Sequence, residues 1–165
     1  MSMLELVPLR WFSLDFSILQ EGSPIAEIKY SSWRERGTLT VGGSSYKVYR
    51  EGLMSCQFIL ELNGTCLAHA EKPSWRYRSF TVQHDGKTHI LKAESAFSQK
   101  FLLLENDRQI GSISPARMFK RKAMADLPDE LPLPIKVFLL WLTVILWKHN
   151  SEDVALAAAA GSAAG

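Results

Sequence analysis

Cysteine is scarce in this chain: two thiols, Cys56 and Cys66, in 165 residues. Two cysteines cannot staple a disulfide scaffold, and these two are not spaced as a zinc knuckle. An excess of one charge is missing too. Nineteen Lys/Arg against seventeen Asp/Glu leave a net charge of +2, too little for a polycation that holds nucleic acid by charge alone. The opening Met1-Ser2-Met3-Leu4-Glu5 lacks the basic region and long apolar stretch of a signal peptide. A reducing, cytoplasmic location is therefore expected, and Asn63-Gly64-Thr65 reads as a turn before it reads as a glycosylation site. There is no Gly-x-Ser-x-Gly elbow, no glycine-rich phosphate loop leading into a helix, and no acidic loop with calcium-ligand spacing. His69, His84, His89 and His149 offer no pair at metal-ligand spacing on a helix. His69 and His89 can approach across strands and are read as ordinary strand side chains. These absences predict a protein that is not an enzyme, with no catalytic residue, metal or cofactor.

What is present is apolar: 47% hydrophobic residues, with eight Phe, five Trp and four Tyr, far too many for a solvated, disordered chain. From residue 16 to about 127 the chain reads as short strands divided by two-residue turns. Asn63-Gly64 and Asp85-Gly86 tolerate positive φ at both central positions, as tight hairpins require, and Gly42-Gly43 and Asn106-Asp107 are turns of the same kind. The strands repeat: Phe16, Phe58 and Phe101 are 42 and 43 residues apart. Each is followed by a turn and a small-apolar segment, Ile25-Ala26-Glu27-Ile28, Leu67-Ala68-His69-Ala70 and Ile110-Gly111-Ser112-Ile113. Three copies are too few to close a propeller, so a single closed barrel of meanders fits better. A two-residue turn at Asn63-Gly64 sets Glu61 opposite Cys66 and Cys56 opposite Glu71. The two cysteines are then about 16 Å out of register and stay free thiols.

The apolar residues concentrate near the C-terminus. After the stiff Pro128-Asp129-Glu130-Leu131-Pro132-Leu133-Pro134 comes Ile135–Trp147, apolar on every face except for Lys136. Such a helix is either a membrane span or the centre of a core. Thirteen residues reach about 20 Å, short of the ~30 Å a bilayer core demands. A helix over 135–149 enclosed by the strands is the favoured reading, with a C-terminal membrane anchor as the alternative. Residues 151–165 are low-complexity and Ala-rich, and a disordered tail is expected there.

Meandering strands, then Ala123-Met-Ala-Asp-Leu-Pro128, then Leu133-Pro-Ile-Lys-Val-Phe-Leu-Leu-Trp-Leu142, resemble the tubby C-terminal-like superfamily. That group includes the tubby domain, the LURP-one-related proteins and the phospholipid scramblases. The resemblance covers about residues 10–149. It implies a closed, twelve-stranded antiparallel barrel enclosing one hydrophobic C-terminal helix, in a single domain over residues 1–150. It also implies a surface for phosphoinositides or other anionic phospholipid headgroups, because tubby domains bind such headgroups at a basic site.

The charge pattern suggests where. Residues 72–122 hold eleven Lys/Arg and four Asp/Glu, an asymmetry that favours an anionic partner. Arg117-Met118-Phe119-Lys120-Arg121-Lys122 sets four cations beside two apolar side chains, suited to phosphate oxygens and a lipid interface. Arg76 and Arg78 flank Tyr77 as alternate residues of one strand face, and Arg34 and Arg36 repeat them. The candidate lipid- or anion-binding residues are thus Arg76, Arg78, Arg117, Lys120, Arg121 and Lys122. The expectation is a monomer, cytoplasmic or peripheral at membranes, with no nucleic-acid partner. A protein-interaction or structural module without lipid role is the alternative.

Overall fold

The computed structural model describes residues 3–10, 14–31, 35–52, 55–74, 77–116 and 122–164, with the backbone alone from residue 149 onward. Its strands are β1 (Met3–Pro8), β2 (Phe16–Gln20), β3 (Ser23–Ser31), β4 (Arg36–Val41), β5 (Ser44–Arg50), β6 (Gln57–Leu62), β7 (Thr65–Glu71), β8 (Ser79–His84), β9 (Lys87–Ala93), β10 (Phe101–Glu105), β11 (Arg108–Pro115) and β12 (Ala123–Asp126). Every strand pairs antiparallel with its sequence neighbours, and β1 pairs with both β2 and β12, so the twelve close into a barrel with no free edge. The strand expected to start the barrel at residue 16 is therefore the second. Period-2 alternation sets the inner face: Phe16 and Ile18, Phe58 and Leu60, and Phe101 and Leu103 all point inward and are buried.

The repeat seen in the sequence is a structural one. Each copy carries a β-bulge at the same place, with Ile25, Leu67 and Ile110 as the extra residue. The inward residue that follows is small each time: Ala26, Ala68 or Gly111. A bulge re-aims the strand and tightens its twist, which helps a sheet curl closed. It also corrects the cysteine register. Glu61 faces Cys66 as expected, but the extra Leu67 shifts the rest of β7, so Cys56 meets Lys72, whose N–H donates to its carbonyl at 2.9 Å. Both thiols are free.

The barrel is filled by α1 (Leu133–Ala164). Every residue from Ile135 to Leu146 is buried, Lys136 included, which an all-apolar helix achieves only when walls surround it. The expected core helix is thus present, beginning two residues before Ile135. Its backbone stays helical through the Ala-rich segment where a disordered tail was expected, in keeping with alanine's helix propensity. Among the described residues no helix is long and apolar enough to cross a membrane. Trp141 anchors the packing, with its ring edge-on to Phe58 at 5.8 Å and stacked on Phe138 at 6.0 Å.

The wall makes room for that indole at Gly37. A Cβ there would lie 2.7 Å from the Lys29 carbonyl oxygen and 3.2 Å from Trp141 Nε1. Gly37→Ala is expected to cost about 1–3 kcal/mol, the usual penalty for overpacking. Urea unfolding measures it, and an unchanged midpoint would mean that wall and helix yield freely.

Candidate functional site

An antiparallel barrel sends successive connections to alternate ends, and here the two ends differ in kind. One end carries the tight turns Glu21-Gly22, Gly42-Gly43, Asn63-Gly64, Asp85-Gly86 and Asn106-Asp107, all with positive φ at both residues, and the linker 127–132 into α1. Its ionisable side chains are mostly acidic: Glu21, Asp85, Glu105, Asp107, Asp126, Asp129 and Glu130, against Lys87, Arg108 and the buried Lys136. The other end carries the longer connections β1–β2, β3–β4, β5–β6, β7–β8, β9–β10 and β11–β12, and α1 leaves the barrel there. Trp147 Nε1 donates to the Gln99 carbonyl at 2.9 Å and Lys148 Nζ to Tyr30 Oη at 3.3 Å.

This second end combines cations with exposed apolar side chains. Phe97 in β9–β10 is 95% exposed, Tyr77 in β7–β8 58% and Leu9 in β1–β2 48%. Arg10 and Arg36 are exposed at the same end. Other cations there are committed: Arg50 Nε lies 3.5 Å from Glu35 Oε2, and Lys100 Nζ 3.3 Å from Glu94 Oε2. Lys72 is buried over the Phe80 ring. On the outer wall nearby, a groove of about 650 Å³ brings together Lys29, Arg36, Lys47, Asp15 and Glu61. There Tyr49 Oη donates to Glu61 Oε2 at 2.8 Å, and this bond raises the phenol above its ordinary pKa.

Of the residues expected to bind anions, Arg78 makes contacts within the protein itself. It immediately precedes β8, and its carbonyl accepts from Ala93 N–H at 3.0 Å, one step beyond the Ser79–Lys92 pair, on the same side as the buried Phe80. Its guanidinium turns inward over the Phe101 ring, 5.3 Å from the centroid, and Nη1 donates to the Ala96 carbonyl at 3.0 Å. Nε and Nη2 are buried and have no hydrogen-bond partner among the described residues, and desolvation lowers the group's pKa. Arg78 thus ties down the β9–β10 connection next to Phe97. Lys122 is half-buried at the foot of the β11–β12 connection, where its carbonyl accepts from Ala116 N–H at 2.9 Å. Arg76, Arg117, Lys120 and Arg121 lie outside the described residues, as does Arg34.

A separate polar group occupies the tight-turn end. His84 and His89 are buried, their rings nearly parallel with centroids 5.1 Å apart, and His84 Nε2 lies 3.2 Å from His89 Nδ1. Glu105 Oε1 lies 3.2 Å from the other nitrogen, His89 Nε2. The histidine contact across strands is therefore between His84 and His89, not His69 and His89. His69 bonds Gln57 instead, at 3.2 Å. The pair flanks the Asp85-Gly86 turn, so its five-residue spacing was a usable signal: across such a turn, those positions share a face diagonally. Among the described residues no three His, Cys, Asp or Glu side chains gather as a metal site.

No family model, curated protein or solved structure matches this chain.

Proposed function

We propose that the protein is a non-catalytic, tubby-like barrel that docks peripherally on anionic membranes. The end with the longer connections takes phosphate-bearing lipid headgroups. The observation that carries this reading is Phe97, 95% exposed and at the same end as Leu9, Tyr77, Arg10 and Arg36. An aromatic side chain held in water on a loop tip gains roughly 1.5–3 kcal/mol on entering an apolar phase. Each nearby Lys or Arg adds about 1 kcal/mol against an acidic leaflet. The acidic opposite end would be repelled, so the barrel would stand with α1 leaving towards the membrane. Arg78 acts as a positioning residue in this arrangement, holding the connection that presents Phe97. The segment Arg117–Lys122 adds cations to a connection whose two ends, Ala116 and Lys122, lie at this same end.

Co-sedimentation with vesicles tests the reading. Vesicles containing phosphatidylserine or a phosphoinositide should pull down the protein, and neutral phosphatidylcholine vesicles should not. Phe97→Ser should weaken binding about tenfold or more. A Lys120/Arg121/Lys122→Ala variant should lose the preference for acidic lipid, and 0.5 M salt should weaken what remains, because screening shortens to a few ångströms. Equal binding to neutral and acidic vesicles, or full binding by both variants, would rule the proposal out.

A further inference from the structure

The three structural repeats place different side chains at equivalent inward positions, and only one copy makes them titratable. Val41 and Tyr46 flank the Gly42-Gly43 turn, and Leu127 and Leu4 stand at the matching positions where β12 meets β1. The middle copy has His84 and His89 there, 6% and 3% exposed. A barrel that closes with apolar residues at two of these three places has no structural need for imidazoles at the third.

The two rings face each other nitrogen to nitrogen at 3.2 Å, which requires one proton between them. Glu105 beside Nε2 favours the proton on that nitrogen and leaves Nδ1 of His89 as the acceptor, so His84 Nε2–H donates. One further proton can be held: His89 becomes imidazolium against Glu105, and His84 changes tautomer to accept. A second proton on the pair sets N–H against N–H, with both rings charged and out of water. The charged groups that face the pair are Asp85 in the turn, Lys87 on β9, Glu105 on β10 and Glu130 in the linker. Cys66 and His69 on β7 share an outer cavity with His84, and α1 brings Lys136 to this end. Lys87 opposes protonation, and the carboxylates favour it. His89 and Glu105 also line a cavity of about 500 Å³ with Pro128, Glu130 and Leu131 of the linker, so the pair borders the segment through which the helix joins the barrel.

We propose that His84 and His89 form a proton-operated latch: neutral or singly protonated they hold the β8–β9 turn and the linker closed, and doubly protonated they release that end of the barrel. Burial, His89 and Lys87 hold His84 below its ordinary value of 6.5, in that order of effect. The folded protein therefore binds fewer protons than the opened one. The stability that the neutral His84 contributes is full above pH 6.5 and is lost as pH falls below it.

Hydrogen exchange between pH 7.5 and 5.0, corrected for intrinsic rates, tests the latch on the intact chain. Amides of residues 84–89 and 127–132 should lose protection by a factor approaching about ten per pH unit below 6.5, ahead of β2–β5. A His84→Val/His89→Tyr variant, which copies the first repeat, should keep its protection, and His69→Gln should behave as the parent. Should the double variant fail to fold, imidazole ¹⁵N shifts of the parent decide: His84 should titrate below 6.5, in step with exchange. Uniform protection at both pH values, the same acid loss in the double variant, or His84 titrating at or above 6.5 would each overturn the proposal.

Discussion

Leu140→Asp is expected to yield no folded barrel. Leu140 is wholly buried midway along the enclosed part of α1, and every neighbour from Val137 to Thr143 is buried as well. The substitution removes a large apolar side chain, worth about 2–5 kcal/mol in a core. It also puts a carboxylate into the apolar interior, one helical turn beyond Lys136, at a further cost of several kcal/mol. Together these are comparable with the ~5–15 kcal/mol that a domain of this kind has in total. Leu140→Met keeps the volume and should cost less than about 1.5 kcal/mol. Circular dichroism and gel filtration of the two variants side by side give the answer. A folded, monomeric Leu140→Asp protein would mean that the strands close without their helix.

That expectation was available from the sequence, and the reason is physical. A thirteen-residue run apolar on every face cannot lie on a surface, and it is too short for a bilayer. The turns were equally legible, because two successive positive φ values at Asn63-Gly64 or Asp85-Gly86 are affordable to few residue pairs. The bulges at Ile25, Leu67 and Ile110 were not. An extra apolar residue in an apolar strand leaves no mark on composition and a faint one on alternation. It is why Cys56 was placed one residue from its true partner.

The candidate site was the least legible part. Counting charge along residues 72–122 mixed both ends of the barrel, since antiparallel strands return every contiguous stretch to each end in turn. Sorting by connection places the basic Arg10 and Arg36 with Phe97, and the acidic Asp107, Asp129 and Glu130 with the tight turns. The inward turn of Arg78 also escaped the sequence, because it follows from Ala96 on a different connection and Phe101 at the start of β10.

Closure of the barrel depends on its first strand, and removing residues 1–8 should prevent folding as surely as a charge in the helix. β12 offers the interior only two small side chains, Ala123 and Ala125. The volume they leave is taken by Leu4 and Leu6 of β1, each 1% exposed and paired with Ala125 and Ala123. β1 is in effect the fourth strand of the third repeat, supplied from the other end of the chain. Without it the helix loses cover along one side. β2 and β12 also become open edges, with unpaired N–H and carbonyl groups that invite aggregation. Leu6→Ala alone should cost about 2–5 kcal/mol in urea unfolding. The truncated chain should elute as aggregate, and a synthetic peptide of residues 1–10 added during refolding should restore a monomeric barrel. A truncated chain that stays soluble and unfolds cooperatively would show that eleven strands can wrap this helix. The long reach between the first and last strands would then be a consequence of the fold and not a condition for it.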